Sequence, residues 1–187
     1  MAQGNQGFMK NHWQNAWEIF LGAAFFTYTW SVLVFLYDFP ALILRLSTKE
    51  IIVHLAYLFS FALFESFTIA IIFFAVSSML VWRFGGKVAI IGNLSVIFAC
   101  VGSLIYQFRE TLWWSFSGAD FSFATSLIVG IWLILVVFSP FLAIISAKSL
   151  RVNNIIEKFF DHLVPLISLY LFFSLISVFI VIFRNFI

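Results

Sequence analysis

Charge is what this sequence has least of. Only 10% of its 187 residues are Asp, Glu, Lys or Arg, while 64% are apolar, against about 25% and 45–50% in an ordinary soluble domain. So few polar side chains could not cover the outside of a compact soluble fold, which excludes that class. The net charge of +2 is scattered and no basic run of five residues occurs, so nucleic acid is not expected as a partner. A single cysteine, Cys100, excludes an internal disulfide and any paired-cysteine metal or redox motif. Inside an apolar run it reads as a small packed residue. Also missing are HExxH, GxSxG, a paired-Asp motif, a Gly-rich phosphate loop and a Cys/His cluster. Neither a metal site nor a cofactor is expected.

What is there is apolar length. A helix needs about 20 apolar residues to cross a bilayer core, and five runs qualify, at about 17–37, 51–82, 88–108, 123–147 and 164–183. The expected fold class is therefore all-α: a polytopic transmembrane bundle of about five spanning helices, with residues 1–187 as one membrane domain. The first run is stopped by Asp38 and Pro40, and no small-residue cleavage site follows it, so it reads as a retained helix. The second opens on Ser47-Thr48-Lys49-Glu50, the form of a capping box. Its 32 residues would extend roughly 48 Å, well past the ~30 Å core, and require tilt or a protruding end. Residues 154–163 place Ile155, Ile156, Phe159, Phe160 and Leu163 on one face and Glu157, Lys158, Asp161 and His162 on the other. That is the pattern of a short interfacial helix, which Pro165 would turn into the last span. Trp13 and Trp17, and the stretch Leu112 to Phe116, read as aromatic anchors at the headgroup level.

Small residues mark where helices can approach one another in lipid. The first run offers Ala23, Thr27 and Ser31; the second, Ala62, Ser66 and Ala70; the third, Gly92, Ser95, Ala99 and Gly102; the fourth, Ser126 and Gly130. These stripes lead us to expect close packing among the first three helices. Lys and Arg in the connections favour the N-terminus inside and the C-terminus outside, because Lys10, Arg83, Lys87, Lys148, Arg151 and Lys158 fall on one side. Arg45, Lys49, Arg109 and Arg184 fall on the other.

Two side chains are candidates for a substrate- or proton-binding site. Glu65 falls near the middle of the second run, where a carboxylate costs a few kcal/mol and usually faces the bundle interior or water. Its position between Ala62 and Ser66 predicts an inward orientation. Asn93, in the third run, is a plausible hydrogen-bond partner for it. His54 lies three turns before Glu65, about 16 Å along the axis, too far to share a metal or a proton with it. Gln107, Tyr28 and Tyr170 read as interhelical hydrogen-bonding groups. Arg109, Glu110 and Asp120 read as a solvated loop cluster. Pro140, beside Ser139, would kink the fourth helix.

These features favour a non-enzymatic membrane protein, either a subunit or accessory component of a membrane complex or a small ion or solute carrier. The expected partners are the bilayer itself and a protein partner or second copy bound through the small-residue faces. Autonomous carriers usually show repeats or broken helices, and neither is apparent, which favours the subunit reading. The alternative is a membrane-embedded enzyme, or enzyme membrane domain, acting on lipid-linked substrates. In architecture alone, five helices with an interfacial helix before the last resemble the membrane region of phosphoglycerol and phosphoethanolamine transferases. The resemblance implies a catalytic threonine and metal ligands in a large extracytoplasmic domain. No such domain is expected in these 187 residues, and no site residue carries over.

Overall fold

The computed structural model describes the backbone of residues 3–116 and 121–186, and the side chains of 13–103, 129–130, 133–134 and 136–186. Among the described residues there are five α-helices and no strands: α1 Gln3–Arg45, α2 Thr48–Phe84, α3 Val88–Phe116, α4 Phe121–Ser146 and α5 Leu150–Phe186. Trp13–Arg45, Thr48–Phe84 and Leu150–Phe186 are each long and apolar enough to cross a membrane, and shorter apolar helices occupy Val88–Ser103 and Val136–Ser146. Helices of this length and composition point to an integral membrane location.

Two features differ from the sequence expectation. Helix α1 does not stop at Asp38 and Pro40 but runs through both to Arg45. The expected interfacial segment 154–163 is not a separate helix either; it forms early turns of α5, which continues through Pro165. The reason lies in the buried face of α5. Phe160, Leu163, Ile167, Ser174 and Ser177 follow one another at helical spacing across the proline. Packing along an unbroken stripe outweighs the one backbone hydrogen bond that Pro165 cannot make, and both Pro40 and Pro165 are exposed, away from that packing. The polar residues Glu157, Lys158, Asp161 and His162 are exposed, as the amphipathic pattern requires.

The start of α2 forms as its sequence dictates. The Ser47 N–H donates to Glu50 Oε2 at 2.8 Å and the Ser47 hydroxyl donates to the same oxygen at 2.7 Å. The Glu50 N–H reaches Ser47 Oγ at 3.5 Å. This reciprocal cap satisfies backbone donors that a helix start leaves free. At the other end, Gly85 and Gly86 have φ of 76° and 114°, and the Gly85 N–H returns to the Val81 carbonyl at 2.8 Å. That left-handed closure is glycine's, because a side chain resists positive φ.

The chain divides into two compact units, Met1–Ile72 with Lys158–Ile187, and Phe73–Glu157. In the first, α1 and α2 run antiparallel. Phe20 stacks on Phe67 with ring centroids 4.6 Å apart, and Phe35 lies 6.4 Å from His54. Between these contacts Thr27 Oγ1 and Ser66 Oγ are 2.5 Å apart. The small-residue stripes of the first two runs therefore meet, Ala23, Thr27, Ala62 and Ser66 all being buried. The third helix of this unit, α5, is fastened by Tyr28, whose hydroxyl hydrogen-bonds Ser174 and whose ring stacks on Tyr170 at 5.1 Å. Near the end of α5, the Tyr57 hydroxyl donates to Asn185 at 3.1 Å and the Arg184 guanidinium lies over the Tyr57 ring.

In the second unit α3 packs on α4. The core is Ile90, Ile91, Leu94 and Ala143, with Val81, Phe98, Ile144, Ala147, Val152 and Ile156 packed against it. Gly92, Ser95, Ala99 and Gly102, the third stripe, are buried. An exposed ion pair, Lys87 Nζ to Glu157 Oε1 at 2.8 Å, ties the start of α3 to the early turns of α5. Pro140 is buried within α4, and Ser139 donates to the Val136 carbonyl at 2.8 Å. The side chains of Gln107, Arg109, Glu110, Trp113, Trp114, Asp120 and Ser126 lie outside the described residues.

Candidate functional site

Glu65 lies midway between the charges that bracket the apolar length of α2. At 1.5 Å per residue it is about 24 Å along the axis from Lys49 and about 27 Å from Arg83. Sliding the helix far enough to bring Glu65 to either surface would draw one of those cations into the hydrocarbon. With both cations outside a ~30 Å core, their separation of roughly 51 Å still leaves Glu65 inside the hydrocarbon, within about 12 Å of its middle.

The expected inward orientation is corrected by the structure, in which Glu65 is exposed. Ala62 and Ser66 are buried as anticipated, at 1% and 0% exposure, and so are Phe59, Ala70 and Ser77. At 100° per residue, Ser66 lies about 40° to one side of Ala62 and Glu65 about 60° to the other. The buried face extends toward the Ser66 side, so Glu65 is turned roughly 110° from its centre. Its neighbours along the helix surface are Phe61, Phe64, Thr68 and Ile72, all exposed. The Thr68 hydroxyl donates to the Phe64 carbonyl at 3.0 Å. Among the described residues Glu65 has no hydrogen bond and no ion pair.

Asn93 sits on α3 in the other unit. It is 3% exposed and its Oδ1 has no hydrogen-bond partner. Ser77 Oγ, Ser78 Oγ and Asn153 Oδ1 are likewise buried and unpartnered, so all four orphaned polar atoms among the described residues belong to Phe73–Glu157. Ser77 lies about 10 Å below the end of α2, and Asn93 about 8 Å below the start of α3, from counts of residues at 1.5 Å rise. These unpaired amide and hydroxyl oxygens can take a water or another neutral donor. No local pattern marks Ser77 and Ser78, because a helical serine usually satisfies itself on the carbonyl four residues back. Ser60, Ser66, Ser95 and Ser168 do so, whereas Ser77 and Ser78 do not.

No family model, curated protein or solved structure matches this chain. Tyr28 and Tyr170 join elements of the fold, and His54 is an exposed residue stacked on Phe35. None of the three has a feature that calls for a ligand.

Proposed function

We propose that this protein is a non-enzymatic subunit of a membrane complex, held to its partner through the face of α2 that carries Glu65. One observation carries the reading: a carboxyl group at mid-span, exposed on the outer face of α2 and unpartnered. Left against lipid, such a group costs about 3 kcal/mol on insertion scales. A partner helix with a hydrogen-bond donor or a cation at the same depth removes that cost. The surrounding Phe61, Phe64, Thr68 and Ile72 supply an apolar surface with one hydroxyl, suited to a facing transmembrane helix. The carrier reading would place the acid inside the bundle, where a transported ion could be stripped of water, and Glu65 faces away from that interior.

The test is site-specific crosslinking in native membranes. A photo-reactive residue replacing Phe61 or Thr68 should capture one defined transmembrane partner, and the same residue replacing Ala70 on the buried face should not. Glu65→Leu should abolish the crosslink while leaving the subunit folded and inserted. A product made only of two copies of this chain would assign the face to self-association. Labelling by lipid alone, unchanged in Glu65→Leu, would overturn the proposal.

A further inference from the structure

We infer that the end of the Phe73–Glu157 unit formed by residues 85–87 and 147–149 is a docking surface for the headgroups of anionic phospholipids. Two three-residue connections meet there. One joins α2 to α3 and the other joins α4 to α5. They are held side by side by the packing of Ala147, Val152 and Ile156 on Ile90, Ile91 and Ala143. The Lys87–Glu157 pair and the hydrogen bond from Asn153 Nδ2 to the Ala147 carbonyl at 3.1 Å reinforce that packing. The surface is thus built by the fold rather than by a loose tail.

Its charge is one-sided. Arg83, Lys87, Lys148 and Arg151 are exposed at this end, and the carboxylate that balances them, Glu157, is already engaged with Lys87. Arg83, Lys148 and Arg151 form no ion pair among the described residues. The starts of α3 and α5 add the positive ends of two helix dipoles. Around these cations stand Trp82 and Leu150, 88% and 80% exposed. An indole and an aliphatic side chain beside arginines suit the boundary between acyl chains and headgroups. Basic clusters at the end of transmembrane helices attract anionic lipid, at about 1 kcal/mol, or roughly five-fold, for each cation near the surface. Charge complementarity and the apolar rim together select a phospholipid over a soluble anion.

The experiment measures lipid selectivity with the whole chain reconstituted in phosphatidylcholine vesicles containing either spin-labelled phosphatidylglycerol or spin-labelled phosphatidylcholine. The native protein should immobilise the anionic probe in clear preference. Neutralising the three unpaired cations together (Arg83→Gln, Lys148→Gln, Arg151→Gln) should lower that preference by at least ten-fold, given roughly five-fold for each. Arg45→Gln with Lys49→Gln, which removes two exposed cations from another part of the chain, should leave it near the native value. Replacing Arg83 and Arg151 by lysine should retain it, which separates loss of charge from loss of fold. Equal immobilisation of the two probes by the native protein would overturn the inference. So would displacement of the anionic probe by inorganic phosphate beyond that by chloride of matched ionic strength, because the site would then be one for a free anion.

Discussion

Where α1 meets α2, the hydrogen bond between Thr27 and Ser66 and the small volume of Ser66 make separable contributions, and the substitutions Ser66→Ala and Ser66→Leu divide them. Removing the Ser66 hydroxyl orphans nothing. Thr27 Oγ1 keeps the Ala23 and Ala24 carbonyls at 3.1 and 3.2 Å, and the Ala62 carbonyl, which Ser66 approaches at 2.6 Å, remains in the helical ladder. The loss is then one interhelical hydrogen bond, about 0.6 kcal/mol and at most about 1.7 kcal/mol in lipid. A double-mutant cycle of Ser66→Ala with Thr27→Val should return a coupling of about that size. Ser66→Leu instead adds branched volume at a position with 0% exposure, where overpacking costs about 1–3 kcal/mol on top of the lost bond. The assay is reversible unfolding in mild detergent titrated with dodecyl sulfate, followed by tryptophan fluorescence. A cost for Ser66→Ala equal to that of Ser66→Leu would refute this division, because the hydrogen bond would then be setting the helix approach. Tolerance of Ser66→Leu would refute it equally.

Four further outcomes rest on the same geometry, and the stability change in each is read in the same assay. Gly86→Ala should destabilise by more than about 1 kcal/mol, because φ of +114° resists a side chain and the new Cβ would lie 3.2 Å from Ile91 Cδ1. Gly85→Ala, at φ +76° with open space around it, should cost about 1 kcal/mol from the backbone alone. Ser47→Ala should cost about 1 kcal/mol by uncapping α2, and hydrogen exchange should rise at its first amides and nowhere else in the helix. Lys87→Met and Glu157→Gln should each change stability by less than about 1 kcal/mol, since the pair is 70% and 49% exposed. A larger change would show that it holds the end of its unit together.

The helices and their contact faces were legible because both follow from simple periodic rules. Apolar length defined the runs, Ser47 and Glu50 marked a start, and Ala23, Thr27, Ala62 and Ser66 marked surfaces that indeed touch. Helix boundaries were less legible. Asp38, Pro40 and Pro165 are local stop signals, yet α1 and α5 pass through them. A proline denies one hydrogen bond and crowds one carbonyl, whereas the buried stripe of α5 continues on both sides of Pro165. Tyr28 was recognised as a joining residue, but Ser174 as its partner was not, because 146 residues separate them and no local pattern encodes that register.

Glu65 shows how a wheel argument can be right about a helix and wrong about one residue on it. Flanking small residues located the buried face correctly, but that face is centred on the far side of Ser66, and an offset of three from Ala62 carries Glu65 out of it. The exposed orientation alters what the carboxyl group implies. A mid-span acid facing inward can be satisfied by its own protein and says little about partners. One facing outward, with no partner among the described residues, has its stabilising contact in another molecule on the reading proposed above. Glu65→Gln keeps hydrogen-bonding capacity and removes the charge, so it distinguishes two partner chemistries. If the partner offers a hydroxyl or amide, Glu65→Gln should keep the crosslink at Phe61 or Thr68 and only Glu65→Leu should lose it. If the partner offers a lysine or arginine, Glu65→Gln should lose it too, because an intramembrane cation left unpaired costs about as much as the acid did.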